Sequence, residues 1–255
     1  MELQKFEQQV KSKLPLPKST KLVAEKQFCI PIHTVQVTYH PVSRTPMDIL
    51  MKMMLIAFGK GTFRDGETLA DVLLVEPLFI NDLLNKMKKT GLLIQDEVIS
   101  LTEKGKQQLT NGIFEEELDE DRRELLYSPL HQAYIEGDIE DVLDFDEFPE
   151  EIDYALGLTV EFDEQKTLDA LQLAVAHHTE TDEAETPQTI VTSVKATEEL
   201  QINDVPCFQY ILYDTENDIF DVRVFNTLTI AWDEQLEQLI KDKELMIWRD
   251  LYNMK

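Results

Sequence analysis

Cysteine is almost missing from this chain: Cys29 and Cys207 are the only two in 255 residues. Two thiols this far apart in sequence make neither a disulfide framework nor a CxxC metal spacing. The expectation is a pair of free thiols in a reducing compartment. Glycine is also sparse, at eight residues, and no glycine-rich phosphate loop occurs. No apolar run approaches the roughly 20 residues that cross a bilayer. The first 14 residues are polar and amphipathic, without the apolar core of a secretory signal. Nucleophile-elbow and HExxH patterns are missing too. These absences give the expectation of a cytoplasmic, non-enzymatic protein with no membrane contact, no cofactor and no metal site.

Positive charge is the other scarcity. The net charge is −26, and it is unevenly spread. Residues 1–113 hold 15 Lys/Arg against 12 Asp/Glu, whereas residues 114–255 hold 9 against 38. The acidic half should repel nucleic acid and favour basic partners. The mildly basic first half has no such bar, so DNA contact is open to it.

What is present is best organised between Met47 and Leu109. Thr45-Pro46 reads as a helix start, with a hydroxyl cap before a proline at the first turn and Asp48 near the positive helix end. Ile49, Leu50, Met53, Met54 and Ala57 then recur at helical spacing. Gly59-Lys60-Gly61 ends that helix. Thr68–Leu73 makes a short second helix. Pro77 opens a third, with Phe79, Ile80, Leu83, Leu84 and Met87 as its apolar stripe. Gly91 suits its left-handed end. Leu92–Ile94 and Val98–Leu101 form a hairpin across Gln95-Asp96-Glu97, and Thr102 caps a last helix.

The run TLADVLLVEPLFINDLLNKMKKTGLLI, followed by ISLTEKGKQQL, resembles the winged helix-turn-helix pattern of many prokaryotic regulators. The resemblance covers about a quarter of the chain. It implies DNA binding by the third helix and the hairpin wing, or protein binding by the same surfaces. A DNA reader would use Asn81 and Asn85 on bases, with Lys86, Lys88, Lys89, Lys104 and Lys106 along the backbone. Charge argues the other way. Glu76 and Asp82 flank the start of the third helix, Asp96 and Glu97 sit at the wing tip, and the helix has no arginine.

The chain reads as an α+β protein in four parts: a basic N-terminal arm (1–27), the winged-helix domain (28–113), an acidic helical connector (114–186) and a C-terminal α+β domain (187–255). Lys11, Lys13, Lys18, Lys21 and Lys26 give the arm a positive face that could lie on DNA or on the acidic half of the chain, and a solvated arm is the plainer expectation. Phe28–Val42 alternates as a strand. His33 and His40 point to its opposite faces and share no metal. Residues 114–153 carry 17 carboxylates interleaved with apolar side chains. Helices are expected over Asp119–Tyr127 and Leu130–Glu136. The alternation Leu143-Asp144-Phe145-Asp146-Glu147-Phe148 has the form of a docking strip, with Leu143, Phe145, Asp146 and Phe148 as its contacts. A solvated face over a modest core is the plainer alternative for it. Thr167–Ala176 is an amphipathic helix, and the His177-His178 pair after it lacks a third spaced ligand. The C-terminal part reads as four strands, Thr189–Lys195, Cys207–Tyr213, Ile219–Phe225 and Thr227–Trp232. An antiparallel sheet of these is covered by a helix after Asp233, with Leu236, Leu239, Ile240, Ile247 and Leu251 buried. Asp221 and Arg223 would pair on one strand face.

The expected function is an accessory or adaptor subunit. Its winged helix is a platform, and its acidic half meets a protein partner with a basic surface, in a nucleic-acid-related complex. A winged-helix DNA-binding transcriptional regulator is the alternative, and an acidic DNA-mimic inhibitor a third reading. Nothing in the sequence sets an oligomeric state.

Overall fold

The computed structural model describes residues 2–158, 160–176 and 188–252. It is a mixture of helices and strands, an α+β protein, dividing into two compact units. Unit 1 comprises residues 1–37, 122–170 and 196–255; unit 2 comprises residues 38–121 and 171–195. Neither is one continuous stretch of chain. The four consecutive parts expected from sequence do not correspond to this division.

Unit 1 is built on strands. β1 (Thr20–Pro46) and β7 (Gln188–Asp214) each run 27 residues, long enough to serve both units. With β5 (Asp121–Ser128), β6 (Ala133–Ile135), β8 (Ile219–Asn226) and β9 (Ala231–Trp232) they form a sheet in the order β6-β5-β1-β7-β8-β9. The β7–β8 register runs antiparallel from Cys207 opposite Asn226 to Asp214 opposite Ile219. Phe28, Ile30 and Ile32 from β1 meet Val205, Cys207, Phe208 and Tyr210 from β7 in one core. Adjacent positions 28–35 of β1 are buried on both faces, and from Val35 the expected alternation sets in, with Val37 and Tyr39 buried between half-buried neighbours.

Two helices close this core. α1 (Leu3–Ser12) buries Leu3 and Val10. The solvated arm expected over residues 1–27 is therefore a packed helix followed by the start of β1. Its exposed lysines occupy the outer face, while the Phe6 ring meets Phe145, Phe208 and Phe225 at tilted to edge-on angles, 5.8–6.1 Å between centroids. α8 (Glu234–Tyr252) packs on β8 and buries Leu236, Ile240 and Trp248. The terminal helix over the sheet is as expected, but Ile247 and Leu251 face solvent. The buried row follows positions 236, 240 and 248, with Glu244 half-buried one turn from Ile240 and from Trp248. Its carboxylate accepts from Trp248 Nε1 at 3.1 Å, which satisfies it there.

The acidic connector is not helical over most of its length. Asp121–Ser128 and Ala133–Ile135 are strands, and among the described residues only α6 (Ile139–Leu143) and α7 (Glu164–Ala176) are α-helices. Leu126 packs against the unit 1 core, Leu125 and Tyr127 are also buried, and Tyr127 meets Tyr134 and Phe162 edge-on. Pairing with a neighbouring strand overrides the helix preference of this Glu- and Leu-rich run. Of the expected C-terminal strands, the first two are one continuous β7 and the last is only Ala231–Trp232.

Unit 2 has its own core of Met54, Leu55, Leu69, Ile80, Leu84, Met87, Leu92 and Ile99. Its elements are α2 (Ile49–Lys60), α3 (Gly66–Leu73), α4 (Pro77–Lys89), β2 (Leu93–Gln95), β3 (Ile99–Leu101), α5 (Glu103–Asn111) and β4 (Ile113–Glu117). Phe63 bridges to Ile99, adding a single-residue strand to the hairpin. β4 pairs antiparallel with residues 42–46 of β1. The α2 cap is Asp48, whose side chain accepts from the Leu50 and Met51 amides. Thr45 and Pro46, expected to start that helix, instead finish β1. Asp65 caps α3 through Thr68, and Thr102 caps α5 through Gly105 as expected. Gly91 takes φ +75° after α4, where a left-handed residue ends the helix.

Candidate functional site

The lysines assigned to nucleic-acid contact are mostly occupied within the chain. Lys86 Nζ lies 2.8 Å from Glu116 and 4.9 Å above the Phe114 ring. Lys88 donates to Gln95 Oε1 on the hairpin. Lys104 donates to the Thr90 carbonyl at 3.0 Å, and Lys106 pairs with Glu103 at 3.1 Å. Lys89 and Asn85 are exposed on α4. Asn81 is half-buried beside Gly66, where even a Cβ on that glycine would collide with its Oδ1. A glycine at 66 lets α3 approach α4 closely, and holds Asn81 away from solvent.

The outward end of α3 and the first turn of α4 are apolar instead. Val72 is 62% exposed, Leu74 91%, Leu78 64% and Phe79 57%. Phe79 was expected in the α4 core stripe; Ile80, Leu84 and Met87 fill that role, with Leu83 half-buried against the same core. Leu74 adopts φ 57° at the end of α3, a left-handed conformation that leucine rarely takes. Asp65, Glu67, Asp71, Glu76 and Asp82 belong to the same stretch of chain, and residues 65–85 contain no Lys or Arg. All five carboxylate residues are exposed. At the hairpin tip Asp96 and Glu97 are exposed as well.

The expected docking strip is divided by burial. Phe145 is in the unit 1 core against Phe6, so it cannot receive a partner. Asp146 Oδ1 accepts from the Leu3 amide at 2.9 Å. Leu143 and Phe148 are exposed. The alternation of acid and apolar residues here serves internal packing and capping at its middle two positions.

Sequence reasoning passed over His131. Its Nδ1 lies 2.6 Å from Ser128 Oγ and its Nε2 3.0 Å from Asp233 Oδ2. Burial alone would raise the Asp233 carboxyl. Hydrogen bonds from His131 and Asn226, the His131 charge and the Leu236 amide outweigh it, and the net shift is downward. An ionised Asp233 requires the proton on Nε2, leaving Nδ1 to accept from the serine when the ring is neutral. The three residues resemble a nucleophilic relay, but Ser128 is 0% exposed. Asp233 also caps α8, so the arrangement ties the β5–β6 turn to the helix start. Nothing local in the sequence links position 131 to position 233.

The strand ion pairs differ from expectation. Arg223 Nε meets Glu237 Oε1 at 2.7 Å, and Asp221 meets Lys241 at 2.9 Å, so both strand residues pair with α8 rather than with each other. His33 contacts Glu199 at 2.8 Å, while His40 lies 3.8 Å from Glu117. The two histidines do not converge. Among the described residues no group of three His, Cys, Asp or Glu is placed to hold a metal ion. The His177-His178 pair lies outside the described residues. Cys29 and Cys207 are buried free thiols. An open groove of about 320 Å³ in unit 1 is lined by Phe6, Val10, Phe225 and Trp232, with Lys13 at its edge. No helix among the described residues is long and apolar enough to cross a membrane. No protein-family model, curated protein or solved structure matches this chain.

Proposed function

We propose that this α+β protein is a non-enzymatic accessory or adaptor subunit that uses a winged-helix platform to bind a protein partner within a nucleic-acid-related assembly. The order helix, bridging residue, two helices, hairpin and helix in unit 2 agrees with the winged-helix resemblance. The observation that carries the protein-binding reading is the surface of α3 and α4. Where a DNA reader would offer cations and amides to phosphate and bases, this surface offers exposed Leu74, Leu78 and Phe79 in a stretch whose only charged residues are carboxylates. Four of the lysines that would reach phosphate are already engaged by the chain's own groups.

The second reading, a DNA-binding transcriptional regulator, draws on Lys89 and Asn85, which remain exposed on α4. A salt titration with duplex DNA separates the two. A regulator gives binding that falls steeply with salt and disappears in a variant carrying Lys86→Glu, Lys88→Glu and Lys89→Glu. The adaptor gives only weak binding, with no change in that variant, together with a protein partner that survives nuclease treatment during affinity purification.

A further inference from the structure

We infer that the α3–α4 surface takes a basic amphipathic helix of its partner, seated with its apolar face on Leu74, Leu78 and Phe79 and its cations toward Asp71, Glu76 and Asp82. This deepens the adaptor reading and rests on it. The four exposed apolar residues fall within positions 72–79, at the end of α3, in the turn and in the first turn of α4, so the chain holds their backbones near one another. An apolar cluster rimmed by polar groups is the form of a protein-binding surface.

The rim chooses the occupant. The three carboxylates make no hydrogen bond or ion pair with another side chain among the described residues, so they keep their full attraction for an incoming cation. A second copy presenting the same surface would set one acidic rim against another, and the net charge of −26 adds to that repulsion. Duplex DNA meets the same repulsion and has no groups for the leucines. A helix with leucine-like residues at i, i+3, i+4 and i+7 and Lys or Arg beside them answers both halves of the surface. Lysine and arginine stems extend the apolar contact while their heads reach the carboxylates.

The test uses the full chain and a synthetic helical peptide of about four turns, leucine on one face and lysine on the other. Its control has the same composition scrambled to remove the apolar face. Amide NMR spectra locate the contact and fluorescence anisotropy measures it. The expected result is shifts centred on residues 72–79, weaker binding of the scrambled peptide, and salt-sensitive affinity. A variant with Leu74→Ser, Leu78→Ser and Phe79→Ser should lose on the order of tenfold or more. A second variant with Asp71→Lys, Glu76→Lys and Asp82→Lys should lose a similar amount. All six positions are exposed, so circular dichroism should show both variants folded.

Equal binding of both peptides, or shifts centred on residues 138–151, overturns the helix-docking inference and leaves the adaptor reading standing. Duplex DNA that shifts Asn85 through Lys89 and competes with the peptide overturns both. Unchanged affinity in the two folded variants overturns the assignment to this surface.

Discussion

Asp146 completes the start of a helix that lies 143 residues before it: its Oδ1 accepts the Leu3 amide at 2.9 Å. The residue preceding α1, Glu2, makes no side-chain capping bond of its own. This bond and its neighbours hold the Asp146 carboxyl below its usual range, the Leu3 amide being the largest cause. Asp146→Ala should lower the thermal midpoint by a few degrees and speed hydrogen exchange in the first turn of α1. Exchange in α8 should not change.

Phe145 and Phe148 should part company. Phe145→Ala removes a core aromatic and is expected to cost about 3–5 kcal/mol by chemical denaturation. Phe148→Ala, at an exposed position, should stay within about 0.5 kcal/mol of the parent. Equal, small effects would contradict the placement of Phe145 in the core.

The His131–Asp233 contact predicts an acid-sensitive α8. Folding lowers the Asp233 carboxyl, so its stabilisation is complete above the unfolded carboxylate value of about 4 and is lost as pH falls through the folded one. Asp233→Ala should destabilise by about 1–3 kcal/mol at neutral pH, because it strips the helix cap and leaves the His131 ring and the Asn226 amide without their acceptor. The difference between parent and variant should shrink in denaturation series carried toward low pH.

Gly105 is a packing requirement rather than a flexible joint. A Cβ there would collide with the Leu92 carbonyl oxygen, which is backbone and cannot swing aside. Gly105→Ala should cost about 1–3 kcal/mol and loosen the β2–β3 hairpin against α5. Amide shifts at Leu92 and Thr102, whose backbone groups bond to each other at 3.0 Å, would report it.

Both thiols should be silent in the folded protein. Burial pushes Cys29 up to about 12, with Asp204 and Glu151 adding to it, and places Cys207 well above its usual value. A thiol reagent at about pH 8 should label neither until denaturant is added, when both react. Rapid labelling of native protein would show that the strands around them open.

The sequence disclosed the helices of unit 2 because their signals are local. Pro77 opens α4, Thr102 caps α5, and Gly91 ends α4, each within a turn of the residues it acts on. The same locality misled at Thr45-Pro46, where pairing with Phe114 and Ile113 keeps the chain extended until Asp48 takes the cap. Strands β5 and β6 were illegible because they depend on partners far away in sequence. α1 looked like a solvated arm because the rings that bury Phe6 come from positions 145, 208 and 225. For the candidate surface, the carboxylates were visible as letters. The exposure of Phe79 was not, since its spacing fits the buried stripe equally well.

The interrupted make-up of the two units has a consequence for synthesis at the ribosome. Most of unit 2 lies in residues 38–121 and can begin to condense once that stretch has emerged. Unit 1 cannot close at that stage, because the β7 and β8 residues that pack on Phe28, Ile30 and Ile32 belong to segment 196–255. An apolar strand made early must wait, uncovered, for a partner made late. During that interval it is open to aggregation, and chaperone dependence should concentrate there.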